Sequence, residues 1–138
     1  MKGRMGEENQ PVSIVVIDDN LSNLEFVAEA LARSGVKILT SGEPEKGLAL
    51  VAAHHPKIVL TDVIMPGMSG LDVLREAKQL DSDVEVVLMS ADDLPQDRTQ
   101  DARMAAAYLR KPISPAKLRD CVARLLEKHD MNSHGAHR

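Results

Sequence analysis

Short apolar runs, each followed by a polar residue, recur along the chain. The first is VSIVVI from Val12 to Ile17, and the others are VKILT (36–40), IVLT (58–61), VEVVLM (84–89) and AYL (107–109). Most of these runs are rich in β-branched residues and lack regular polar alternation, which is typical of strands buried on both faces of a parallel sheet. The chain is therefore expected to fold around one such sheet.

Segments with helical spacing lie between the predicted strands. The residues expected to face inward are Leu21, Leu24, Val27, Ala28 and Leu31; Leu48, Val51 and Ala52; Leu71, Leu74 and Ala77; and Leu118, Cys121, Val122, Leu125 and Leu126. Gly35 suits the left-handed cap after the first helix, and Pro44 and Ser114-Pro115 suit the starts of later helices. The stretch 92–103 is so polar that a fourth helix there is expected to be loosely attached.

Strands that alternate with helices imply right-handed crossovers and a sheet covered on both faces. We predict a doubly wound α/β fold with a five-stranded parallel sheet and five helices. The 138 residues suit one domain, predicted over 12–128, with a disordered N-terminal tail at 1–11 and a flexible C-terminal tail at 129–138.

Charge and composition narrow the class of protein. The net charge is −4 without a block of like charge, which disfavours direct nucleic-acid binding. The single cysteine excludes an internal disulfide, and no apolar run approaches the roughly 20 residues of a membrane span. The expected compartment is the cytoplasm, without membrane contact.

Polar side chains follow four of the predicted strands. Asp18 and Asp19 come after the first, Asp62 after the third, Ser90 after the fourth and Lys111 after the fifth. Because the carboxyl ends of parallel strands meet at one edge of the sheet, these side chains are expected to converge. Three neighbouring carboxylates repel one another and require a cation, for which Mg²⁺ is the natural choice and Mn²⁺ the alternative.

The roles of these residues follow from their positions. Asp62 lies centrally and is the predicted nucleophile for phosphorus, whereas Asp18 and Asp19 are predicted to hold the metal. Lys111 would supply a second positive charge and Ser90 a hydroxyl donor to a phosphate oxygen, which is what phosphoryl transfer needs.

Four motifs carry a family resemblance. The sequences IDDN (17–20), TDVIMPGMSGLDVL (61–74), LMSA (88–91) and YLRKPI (108–113) resemble, in this order, the receiver domains of response regulators in two-component signal transduction, typified by the chemotaxis regulator. The resemblance covers about residues 12 to 127. It implies a flavodoxin-like fold with strand order 2-1-3-4-5.

The resemblance also assigns residue roles. It implies that Asp62 is phosphorylated, that Asp18, Asp19 and Asp62 bind Mg²⁺, and that the backbone carbonyl of Ile64 is a further ligand. Ser90 corresponds to the hydroxyl residue that moves toward the phosphoryl group, and Tyr108 to the aromatic residue that turns inward. The implied response is a switch of the surface formed by the fourth helix, fifth strand and fifth helix.

The implied partners are a sensor histidine kinase or phosphotransfer protein, an unidentified downstream output domain or protein, and a second copy of the chain on phosphorylation. The chain departs from the family pattern at 104–107, MAAA in place of a common Gly-Ala pair, and the segment from Ser90 to Lys111 is about one residue short. The resemblance implies that Ile64 and Asp92 occupy positions that tune the access of water to the acyl phosphate. The apolar Ile64 should hinder water and Asp92 should attract it, so these opposing effects do not predict the phosphoryl lifetime.

Two other classes of function share parts of this pattern. A Mg²⁺-dependent phosphatase of the haloacid-dehalogenase type also uses an aspartate nucleophile, but it places a second aspartate two positions later, where this chain has Asn20. A receiver that signals without phosphorylation is disfavoured by the complete acidic, hydroxyl and lysine set. We therefore predict a signalling domain rather than an enzyme, either a stand-alone regulator or part of a longer protein.

Overall fold

A computed structural model describes residues 10–92 and 99–136. The strands are β1 (Val12–Ile17), β2 (Lys37–Ser41), β3 (Ile58–Asp62), β4 (Glu85–Ser90) and β5 (Ala107–Arg110). The helices are α1 (Leu21–Ala30), α2 (Pro44–His54), α3 (Gly70–Leu80), α4 (Thr99–Ala102) and α5 (Pro115–Ala136), and a 3-10 turn at Ala32–Ser34 follows α1. All neighbouring strands pair in parallel in the order β2-β1-β3-β4-β5, which confirms the predicted fold.

The sheet is covered on both faces because alternate residues of each strand point in opposite directions. From β1, Val15 and Ile17 join one core cluster, which also holds buried residues of α2 and α3. Ile14 and Val16 join the other, with buried residues of α1 and α5. The unbroken apolar run of β1 is thus explained by contact with a helical layer on each side.

The inward faces of two helices are narrower than predicted. Leu21, the first residue of α1, is 69% exposed, and the buried stripe begins only at Leu24. Ala52 is exposed as well, because it lies about 100° around α2 from the buried Val51. Gly35 does adopt the left-handed conformation, with φ of 77°, but it ends the 3-10 turn rather than α1 itself.

The predicted chain ends and the segment before β5 are described only in part. Residues 1–9 of the predicted N-terminal tail, 93–98 of the polar segment and 137–138 lie outside the described residues. Helix α5 continues to Ala136, so residues 129–136 of the predicted tail are helical, while the domain limits stay a prediction. Among the helices that the structure describes, none has the length and apolar character needed to cross a membrane.

Candidate functional site

The parallel register brings the predicted site residues to one edge of the sheet. Asp18 follows directly on β1, and Asp62 is the last residue of β3. Ser90 ends β4 and pairs with Arg110, the residue before Lys111. Carboxylate oxygens of Asp18, Asp19 and Asp62 all lie within 4.8 Å of one another. The predicted convergence of the three acids is therefore present.

The side chain of Lys111 forms ion pairs with two of these acids. Its Nζ lies 3.3 Å from Oδ2 of Asp18 and 3.3 Å from Oδ1 of Asp62. Asp18 is only 1% exposed, and an unpaired charge at that depth would be strongly destabilising. The ammonium group therefore offsets part of the repulsion between two buried carboxylates that are contributed by different strands.

Backbone amides orient the same two carboxylates. The amide of Asn20 donates to Oδ1 of Asp18 at 2.9 Å, and the amide of Val63 donates to Oδ1 of Asp62 at 3.0 Å. Asp19, by contrast, is exposed at the rim. The three acids are thus not equivalent, because two are held in place and one faces solvent.

Burial raises the pKa of Asp62 above its ordinary value, and the negative charge of Asp18 acts in the same direction, although Lys111 opposes both. A carboxyl whose pKa is raised by folding contributes stability below its unfolded pKa. That contribution is lost as the pH rises through the folded pKa. In the metal-free domain, folding therefore disfavours the ionised form of Asp62.

We accordingly expect Asp62→Asn to raise the free energy of unfolding in EDTA at pH 7, because the variant removes a buried charge beside Asp18. Urea denaturation followed by circular dichroism measures the change. Asp19→Asn is the matched control and should have little effect because its carboxylate is exposed. A lower free energy of unfolding for Asp62→Asn than for wild type in EDTA would contradict the inference that the buried Asp62 carboxylate is destabilising.

The acidic group has the chemistry and spacing of a divalent-cation site. Mg²⁺ takes oxygen ligands at about 2.0–2.1 Å in an octahedron, so two ligands of one ion lie about 3 to 4 Å apart. Oxygens of Asp18, Asp19 and Asp62 within 4.8 Å of one another need only small adjustments to meet that spacing. The three residues therefore fit Mg²⁺, and no other group of three or more such ligands occurs in the described part of the chain.

Ser90 and Tyr108 are connected through the loop that follows β4. The Ser90 hydroxyl oxygen, in a residue only 2% exposed, accepts a hydrogen bond of 3.1 Å from the amide of Asp92. The carbonyl of Asp92 in turn accepts a hydrogen bond of 2.5 Å from the Tyr108 hydroxyl. Asp92 therefore links Ser90 to Tyr108, on the edge strand β5, through two hydrogen bonds.

Gly70, the first residue of α3, has a role that the sequence alone did not reveal. The amide of Gly70 donates to the carbonyl of Val63 at 2.7 Å, and a Cβ on Gly70 would lie 2.1 Å from the carbonyl oxygen of Asp62. Helix α3 thus starts directly against the backbone of the site. The available signal was the capping box that Ser69 and Asp72 form around Gly70.

Two further features border the acidic group. Ile64, whose carbonyl is the predicted metal ligand, has a side chain that is 59% exposed at the rim. Beside Lys111, a mainly apolar cavity of about 490 Å³ lies between α1 and the segment after β5, and its lining includes Asn23, Phe26 and Ile113. An approaching molecule would thus meet apolar side chains next to the charged groups.

Comparison with known proteins gives a consistent result. The family model for the response regulator receiver domain matches residues 14–123. The chain is 36% identical over 110 residues to the probable transcriptional regulatory protein TcrX of Mycobacterium tuberculosis, covering 78% of this chain and 46% of that protein. It is 33% identical over 117 residues to the sensory/regulatory protein RpfC of Xanthomonas campestris pv. campestris, covering 81% of this chain and 16% of that protein.

Solved structures agree with these relatives. The crystal structure of a response regulator receiver domain protein from Clostridium thermocellum superposes with a TM-score of 0.79 at 28% identity, covering 87% of this chain and 98% of that one. The chain spans about half the length, or less, of the curated relatives described above.

Proposed function

Because the chain belongs to the response regulator receiver domain family of two-component signal transduction, we propose that it accepts a phosphoryl group on Asp62 in a Mg²⁺-dependent reaction. The donor is the phosphohistidine of a sensor kinase or of a phosphotransfer protein. The reaction serves signalling rather than turnover, with at most weak phosphorylation from small donors and slow loss of the phosphoryl group.

The observation that carries this proposal is the position of Lys111 between two buried carboxylates, with Nζ 3.3 Å from both Asp18 and Asp62. A lysine in this position can neutralise charge on a phosphoryl oxygen once Asp62 carries it. Asp19, exposed beside them, completes an oxygen set that favours a hard cation.

In the transfer step, a carboxylate oxygen of Asp62 forms a bond to phosphorus while the bond from phosphorus to the imidazole nitrogen of the donor breaks. The imidazole leaves with the electron pair and regains neutrality by taking up a proton. Val63 holds the Asp62 carboxylate through a hydrogen bond to Oδ1, which fixes its orientation for attack. Asp18, Asp19, Asp62 and the carbonyl of Ile64 would hold Mg²⁺, which would neutralise charge on the phosphoryl oxygens.

The proposed response begins at Ser90. When its hydroxyl turns to donate to a phosphoryl oxygen, the amide of Asp92 loses the acceptor that holds it at 3.1 Å. The loop after β4 is then released, and with it the hydrogen bond from Tyr108 to Asp92. The surface formed by α4, β5 and α5 changes as a result, which is a two-state element biased by a local charge change.

The proposed contacts with other proteins follow from this arrangement. The donor protein covers the apolar residues beside the site, such as Phe26 and Ile64. The switched surface controls an output domain or protein, and a second copy of the chain is a candidate partner on phosphorylation. The cytoplasm stays the predicted compartment, and neither nucleic acid nor membrane is a predicted direct partner.

Intact-protein mass spectrometry tests the proposal directly. The chain is incubated with acetyl phosphate or phosphoramidate, once with Mg²⁺ and once with EDTA. We expect a gain of one phosphoryl group that requires Mg²⁺. If no gain occurs, beryllofluoride binding distinguishes rapid loss of the phosphoryl group, where binding persists, from a receiver that signals without phosphorylation, where it does not. Multiple turnover of a phosphate ester would instead favour the phosphatase alternative.

We expect Lys111→Ala to retain Mg²⁺ binding but to lose most of the conformational response, because the acids remain while the cation that contacts the phosphoryl group is gone. Calorimetric titration with Mg²⁺ measures the first property. Chemical-shift changes of Asp92 and Tyr108 on adding beryllofluoride measure the second. Lys46→Ala is the control, since Lys46 on α2 forms an exposed ion pair with Glu43, the residue before that helix. A full response in Lys111→Ala would count against the proposed switch.

A further inference from the structure

The last part of α5 is held to the sheet in a different way from the rest of that helix. Helix α5 is 22 residues long, or about 33 Å, and its buried apolar residues are Leu118, Val122 and Leu125. Beyond Leu126, the described side chains are charged or polar, apart from Met131, which is 69% exposed. Apolar packing therefore ends about one turn before Asp130.

Beyond the point where the apolar packing ends, two ion pairs connect α5 to the sheet. Nζ of Lys57 lies 2.8 Å from Oδ1 of Asp130, and Nζ of Lys128 lies 3.4 Å from Oε2 of Glu85. Lys57 precedes β3 and Glu85 begins β4, and the amide of Glu85 donates to the carbonyl of Lys57 at 2.9 Å. Both pairs thus attach the helix to the same edge of the sheet, opposite the edge that holds Asp62.

In the second of these ion pairs, the acid is buried while the lysine is exposed. The Glu85 side chain is 10% exposed and that of Lys128 is 58% exposed. Oε2 of Glu85 has an ion pair but no hydrogen bond among the described residues. Nδ1 of His129, between the two paired residues of α5, is buried without a hydrogen bond and lies 3.9 Å from Oδ1 of Asp130. Such a contact is weaker than a closely packed apolar one and is sensitive to salt.

We propose that Lys57, Glu85, Lys128 and Asp130 form an ionic latch that holds the end of α5 on the sheet, and that opening it releases residues 127–136 while the sheet stays folded. The last turns of α5 then alternate between a docked helix and a released end whose helical hydrogen bonds open, and salt shifts the balance toward the released form. The latch lies at the opposite edge from the site, so it does not depend on the proposed phosphorylation.

Hydrogen exchange measured by NMR on the full chain tests the latch. The variants are Lys128→Gln, Asp130→Asn and the two combined, which change intrinsic helix propensity little. For an ion pair whose contribution to stability lies at the upper end of the usual range for exposed pairs, we expect about five-fold faster exchange of amides 127–131. The combined variant should show a larger increase. Exchange in β3 and β4 should be unchanged, and raising the salt concentration should speed wild type but hardly affect the combined variant.

Arg124→Gln is the matched control, because Arg124 pairs with Asp120 on the same helix and does not attach α5 to the sheet. Introduced alone, Lys57→Gln should accelerate exchange of amides 127–131. Added to Asp130→Asn, it should cause no further acceleration, since both changes break the same ion pair. Equal exchange in wild type and the combined variant would overturn the proposal. So would acceleration in β3 and β4 that matches that of 127–131, because that result means unfolding of the whole domain.

Discussion

Asp62→Asn is expected to abolish phosphorylation of the chain by acetyl phosphate in the presence of Mg²⁺. The neutral amide is a poor nucleophile and cannot form the acyl phosphate, while it can still accept the hydrogen bond that Val63 donates to position 62. The expected mass spectrum therefore shows only unmodified protein under conditions in which wild type gains one phosphoryl group.

The control for this result is Asp83→Asn, which removes an exposed carboxylate outside the acidic group and should leave phosphorylation unchanged. Circular dichroism of Asp62→Asn should show a folded domain, so loss of phosphorylation cannot be ascribed to unfolding. Phosphorylation of Asp62→Asn at the wild-type rate would mean that another residue is the acceptor.

Gly70→Ala is expected to cause the largest loss of stability among single-methyl additions near the site. The new Cβ would lie 2.1 Å from the carbonyl oxygen of Asp62 and 2.8 Å from Cα of Val63, so backbone rather than a flexible side chain must move. Overpacking of this kind costs about 3 kcal/mol or more, which corresponds to a fall of about 10 °C in Tm for a domain of this size. Thermal denaturation followed by circular dichroism measures it.

The matched control is Gly42→Ala, in which the new Cβ would lie 3.8 Å from the carbonyl oxygen of Asp18, an ordinary contact distance. The expected change is within about 0.5 kcal/mol. Because Gly70→Ala also displaces the backbone of Asp62, it should slow phosphorylation in the molecules that remain folded. Equal stability of the two variants would show that the start of α3 is not packed as tightly as described.

The order of strands and helices was readable from the sequence because it depends on local patterns. An apolar run such as 12–17 predicts a buried strand without knowledge of its neighbours. The rule that parallel strands present their carboxyl ends at one edge then brought Asp18, Asp62 and Lys111 together in the prediction. The predictions that Leu21 and Ala52 face inward were wrong, because helical spacing alone does not show where the buried stripe of a helix begins or how wide it is.

The sequence by itself determined the fold class and the set of polar residues at the sheet edge, because periodicity and strand ends are properties of adjacent residues. Only the tertiary structure decided that Lys111 contacts Asp18, 93 positions away, that Tyr108 is bonded to the loop after β4, and that Gly70 lies against the backbone of Asp62. It also decided that α5 continues to Ala136 and is attached through Lys57 and Glu85. Contacts of this kind depend on how distant segments approach one another in space, and no local pattern encodes those distances.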